Sequence, residues 1–181
     1  MAVRRLAPLV LVAICLLAGL ALALAWYSYQ HSAATPIAIA VSSPSAKACR
    51  SVNGLPDPTC TPGVADSRVT QDNIHSTICV SGYTTSVRPS STYTDRLKRQ
   101  QIQAYGYSDT SLADYEEDHL IPLELGGSPI DPKNLWPEPR RGGFPASRKD
   151  AVENSLHSKV CAGLITLAAA QVAIATNWES A

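Results

Sequence analysis

Four cysteines set the tightest limit on what this chain can fold into, because an even set suits disulfides only in an oxidising compartment. They are Cys49, Cys60, Cys79 and Cys161, and the fifth, Cys15, lies inside an apolar run from Leu6 to Tyr27. At the helical rise that run reaches about 33 Å, enough for the hydrocarbon core of a bilayer. Arg4 and Arg5 precede it, and no Lys or Arg follows until Lys47. The positive-inside bias therefore puts the N-terminus in the cytoplasm and the rest outside. Ala23-Leu24-Ala25 also has the small-residue form of a cleavage site, so residues 1–27 read as a transmembrane anchor or a signal peptide. Either way the expected address is extracytoplasmic, anchored in the membrane or secreted, and it agrees with the cysteines. Three disulfide pairings are open. Cys49 and Cys60 flank CRSVNGLPDPTC, a loop with little apolar material to hold itself together, which favours 49–60 with 79–161. A zinc site competes for the same residues, but no Cys-x-x-Cys pair occurs.

Residues 28–48 are rich in Ala, Ser and Pro and read as a linker, leaving 49–181 as one domain of ordinary size. Basic and acidic residues number 15 each; without Arg4 and Arg5 the remainder carries two fewer basic than acidic. Such a balance does not mark a general nucleic-acid binder, and an anionic partner would have to be held locally. Two basic clusters are available: Arg96, Lys98 and Arg99, and Arg140, Arg141, Arg148 and Lys149. On charge alone both read as solvated faces.

Along the domain, STICVSGYTTSVRP carries β-branched residues and reads as one or two short strands. YTDRLKRQQIQAYGY reads as a short helix ending at Gly106, its basic residues outward. After Tyr115 the pattern becomes a hairpin. HLIPLEL is extended up to about Pro122, Gly126-Gly127 and Asp131-Pro132 turn the chain, and NLW is a second strand stopped by Pro137 and Pro139. From about Ser147 the period is helical, with Val152, Leu156 and Val160 in one stripe and Gly163 as a stop. A last helix begins near Thr166, with Leu167, Ile174 and Trp178 on one face. The fold class expected is α+β, a small disulfide-stapled domain with a C-terminal helix pair.

The chemistry sits on YEEDHLIPLELGG. Asp118 and His119 point to opposite sides of a regular strand, so one residue can hold a hard cation while the next takes a proton from water. A neutral histidine with a pKa near 6.5 suits that task at neutral pH. Glu116 and Glu117 read as acids without a required role, solvated or supporting the site from behind. On the following helix Asp150, Glu153, Asn154, His157 and Cys161 share one side, Lys149 and Glu153 form an i,i+4 surface pair, and Asn134 returns on the second strand to hold the tip. Trp136 beside it reads as core. Taken singly, each of these residues also has an ordinary structural explanation.

DH followed by IP, GG, NL fifteen residues after the histidine, and then a helix with a further Asn or His resembles the HNH endonuclease motif, the ββα-metal site. The stretches YEEDHLIPLELGG, PKNLWPEP and KDAVENSLHSKVCAG are similar to exported bacterial HNH-like proteins, and the similarity covers nearly all of residues 49–178. It implies His119 as general base, Asn134 as the residue that orients it, and Asp118 as metal ligand, with His157 or Asn154 as the helix ligand. The ion implied is one divalent cation, Mg2+ foremost, with Mn2+ or Zn2+ as alternatives. Phosphate would lie against Arg140, Arg141, Arg148 and Lys149. The chain departs from the commoner pattern in lacking zinc-knuckle cysteine pairs and in having a longer Pro/Gly/Arg-rich stretch before the helix. The function expected is a metal-dependent nuclease cutting DNA, and RNA as a further candidate, with the membrane as second partner. The rival is a non-catalytic, disulfide-stabilised envelope binding or structural domain on the same scaffold.

Overall fold

The computed structural model describes residues 22–24, 26–30 and 48–181. Residues 22–24 and 26–30 are helical, and among the described residues no helix is long and apolar enough to cross a membrane. Most of the expected anchor or signal segment, and nearly all of the linker, lie outside the described residues. The chain divides into Met1–Pro44 and Ser45–Ala181.

The second unit is a mixed α+β domain. A 3-10 helix at Gln71–Ser76 leads to α1 (Tyr83–Val87) and α2 (Ser91–Ala104), then β1 (Tyr115–His119) and β2 (Leu135–Pro139), then α3 (Ala146–Cys161) and α4 (Leu167–Asn177). The strands expected in STICVSGYTTSVRP are absent from this region, which forms the end of the 3-10 helix, a turn and α1. The physical reason is visible in the spacing: Ile74 and Ile78, four apart, are both buried, and Gly82 takes a left-handed conformation (φ 84°) that starts α1. Helix α2 opens on Ser90, whose hydroxyl accepts the Tyr93 N–H, and buries Leu97 and Ile102. Lys98 is buried too rather than outward, its ammonium donating to the carbonyls of Leu112 and Tyr115.

β1 and β2 form a two-stranded antiparallel sheet with Asp118 opposite Trp136 and His119 opposite Leu135. Pro137 does not stop β2, as the sequence suggested, but lies within it, and the strand ends at Pro139. Both strands of a two-stranded sheet are edges, so a proline nitrogen can face away from the ladder.

The main core joins Ile121 and Leu125 from the hairpin tip to Leu156 and Val160 of α3, Ile174 of α4 and Trp178. A smaller cluster packs Cys49 and Tyr105 on Trp136, which is buried as expected. The two ends of the domain meet where Trp178 Nε1 donates to the Gly54 carbonyl at 2.8 Å. Disulfides join Cys49 to Cys60 and Cys79 to Cys161, the favoured pairing, at sequence separations of 11 and 82. Chain-entropy reasoning assigns about 3 kcal/mol to the shorter closure and about 4.5 kcal/mol to the longer. Replacing both Cys79 and Cys161 by Ala is therefore expected to lower the urea midpoint more than replacing Cys49 and Cys60, at a cost of about 2–5 kcal/mol.

Candidate functional site

Asn134 makes four of the hydrogen bonds that brace the tip between β1 and β2. Asn134 is 0 % exposed; its Oδ1 accepts the N–H groups of Ile121 (3.0 Å) and Val64 (3.2 Å), and its Nδ2 donates to the carbonyls of Ile121 (2.9 Å) and Ser128 (3.0 Å). Both lone pairs and both N–H groups are used, the full capacity of an amide. The closeness of the tip also requires Gly127, where a Cβ would fall 1.7 Å from the Ile121 oxygen.

Next to the Ser128 carbonyl that Asn134 holds is Pro129, and the Pro129 oxygen lies 3.1 Å from His119 Nε2. A carbonyl only accepts, so Nε2 carries the proton and Nδ1 is left with the free lone pair. His119 is 5 % exposed, and burial lowers its pKa below the usual 6.5, against the opposing pull of the Pro129 hydrogen bond and the Asp118 charge. The imidazole is thus neutral at neutral pH, in one tautomer.

Asp118, alternating with His119 along β1, meets a different environment. Lys149, on the first turns of α3 and 0 % exposed, donates from Nζ to Asp118 Oδ2 (2.6 Å), to the His119 carbonyl (3.1 Å) and to Glu153 Oε1. Desolvation works against the ammonium, but the charges of Asp118, Glu153 and Glu138 outweigh it and raise the Lys149 pKa. Glu138 is 1 % exposed with neither carboxylate oxygen hydrogen-bonded, and desolvation, then the Asp118 charge, raise its pKa. Lys149 and Glu153 are thus an enclosed pair, not the expected surface pair.

Glu117 is not solvated either. It is 9 % exposed with both carboxylate oxygens unpartnered, and burial pushes its pKa up to about 8 despite the nearby Lys98. Glu116 is salt-bridged to Arg140 at 2.8 Å.

The helix residues expected to complete a metal site are engaged elsewhere. Asn154 Nδ2 donates to the Asp150 carbonyl, and His157 Nε2 lies 2.9 Å from the Ile78 oxygen and 3.3 Å from Cys161 Sγ. With Asp118 Oδ2 taken by an ammonium, Asp118, Asn154 and His157 are not assembled as ligands, and they do not fit the divalent ion that the resemblance implies. Among the described residues, Cys79, His157 and Cys161 form a group whose ligand atoms lie within 4.8 Å of one another and which could hold a metal ion. Both sulfurs are spent in the Cys79–Cys161 bond, so coordination there requires reduction to thiolates.

Of the four expected phosphate-binding residues, three have their side chains at the surface and one is buried. Arg140 pairs with Glu116, Arg141 with Asp114 at 3.8 Å, and Arg148 with Glu179 at 2.5 Å, while Lys149 is enclosed. Among the described residues, exposed Arg88 is a further cation whose charge acts on His119, Glu124 and Asp150, the last also under the charge of Arg140. The chain matches no family model, no curated protein and no solved structure.

The burial of Lys149 and of Glu138, which the expectations left out, had a readable signal. At about 100° per residue, Lys149 falls in the middle of the Val152/Leu156/Val160 stripe, and Glu138, two residues on from the buried Trp136, shares its face of β2. Arg88 had no signal beyond its charge. Removing the Asn134 amide by Asn134→Ala leaves two N–H groups and two carbonyls at the tip unpaired. The expected loss is about 2–5 kcal/mol in urea unfolding. For Glu117 the proton is held in the folded state up to about pH 8 but released near 4.5 in the unfolded chain. The unfolded state binds fewer protons in that window, so this residue costs stability as pH rises through it. Glu117→Gln should gain on the wild type between pH 5 and pH 8.5, on the order of 1–3 kcal/mol by thermal or urea unfolding.

Proposed function

We propose that the domain is an HNH-type phosphodiester hydrolase acting on nucleic acid outside the cytoplasm, on DNA foremost and on RNA as the further candidate. The observation that carries this reading is the hydrogen bond from His119 Nε2–H to the Pro129 carbonyl, on a hairpin followed by a helix. It leaves Nδ1 of a neutral ring as the acceptor for a proton from an attacking water. Asn134 acts through the backbone: it holds Ser128, and with it the Pro129 carbonyl that fixes the tautomer. Arg88 is the cation available to the phosphate, and the anionic transition state would draw on it. The extracytoplasmic address is supported by the disulfides and by the apolar run with its preceding arginines.

A non-catalytic envelope binding or structural domain on the same scaffold is the second reading. The observation in its favour is the enclosed pairing of Asp118 with Lys149, which engages an expected metal ligand and an expected phosphate-binding residue with each other.

The discriminating experiment incubates the full chain, disulfides formed, with plasmid DNA and with RNA in Mg2+, Mn2+ or EDTA, beside His119→Ala. The hydrolase reading expects cleavage that the variant loses by ~100-fold or more. Equal inactivity of both proteins under every condition would leave the scaffold reading standing.

A further inference from the structure

We infer that the resident cation of the hairpin–helix junction is the Lys149 ammonium itself, standing in an oxygen cage that would otherwise take a divalent metal ion. The inference rests on the cage and not on the proposed hydrolysis, and its test needs no nucleic acid.

An ammonium has three N–H donors and no acceptor. Lys149 spends all three on oxygen: Asp118 Oδ2, the His119 carbonyl and Glu153 Oε1. Two carboxylates and a backbone carbonyl are also the donor types that hard cations such as Mg2+, Mn2+ and Ca2+ select. Beyond them lies Glu138, a further carboxyl group, buried and without a hydrogen-bond partner. The cage therefore has more carboxylate than one ammonium neutralises. Nζ is enclosed, so a divalent ion could enter only by expelling a buried side chain whose every donor is satisfied. A neutral, short side chain at position 149 would leave Asp118 and Glu153 facing a vacancy with their charges unopposed, and that vacancy would bind such an ion.

Mn2+ is the probe, titrated by calorimetry into the full chain with disulfides intact, and read again as the change in melting temperature between Mn2+ and EDTA. The wild type is expected to show no saturable Mn2+ binding that Glu153→Gln removes, and the same melting temperature in both buffers. Lys149→Ala is expected to melt lower than the wild type in EDTA, to bind Mn2+ at least ~10-fold more tightly, and to regain stability in Mn2+. Lys149→Ala/Glu153→Gln should lose that gain. Saturable binding to the wild type that depends on Glu153, or a folded Lys149→Ala that gains no Mn2+ affinity, would overturn the inference. Should Lys149→Ala fold in neither buffer, the wild-type titration decides: Glu153-dependent binding overturns it, and its absence supports it.

Discussion

The contact on which the domain depends is that of the Lys149 ammonium with Asp118, Glu153 and the His119 carbonyl. Taking an ammonium and two carboxylates out of water is expensive, and such a group persists only when its donors are satisfied. Here they are, and the satisfaction joins β1 to α3. Removing one partner would strand the others, at a cost of about 3–5 kcal/mol. Burial, and then the Asp118 charge, raise the pKa of Glu138, and the Lys149 ammonium, already shared by two carboxylates, opposes them without outweighing them. His119 is held twice, by its backbone carbonyl through Lys149 and by its ring through Pro129.

Around that junction the remaining constraints are covalent or nearly so. The Cys79–Cys161 bond ends α3 on the segment that leads into α1, and His157 one turn earlier reaches the Ile78 carbonyl beside it. Helix α3 is consequently tied at one end by sulfur and at the other by charge. Asn134 does for the tip what the disulfide does for the helix, through four hydrogen bonds rather than one covalent bond. A domain of this size, with a two-stranded sheet, has little ladder to rely on, and the hairpin leans on these side chains.

Much of this was legible where a residue type had one physical use. The apolar stripe of α3, Thr166 before α4, and the cysteines flanking a loop without a core all pointed to the observed elements and bonds. Asn134 at the tip was legible for the same reason. The structure departs from the sequence pattern where charged residues are buried. Glu117, Lys98 and Lys149 are buried because alternation in β1 and the phase of α2 and α3 turn them inward, and partners from other elements make that burial tolerable for the two lysines. Those partners are far apart in sequence, as Lys98 is from Tyr115 or Lys149 from Asp118, and no local pattern announces them. Pro137 within β2 departs from it for a related reason: its penalty depends on whether a neighbouring strand needs an N–H there, which is a property of the sheet.

The alternation along β1 also bears on the chemistry. It separates Asp118, committed to an ammonium, from His119, kept neutral by burial. Protonating His119 would place a third cation beside Lys149 and Arg88, both of which already lower its pKa. Asp118 works in the other direction, but its charge is shared with Lys149. In the folded protein the ring is therefore a reluctant base. A phosphodiester approaching Arg88 would change that balance by bringing further negative charge near His119. The imidazolium formed on proton transfer would then be stabilised by the substrate itself, and a neutral ester, lacking that charge, would leave His119 unprotonated. Under the hydrolase reading, selectivity for an anionic substrate follows from the electrostatics of the base and does not require a broad basic surface.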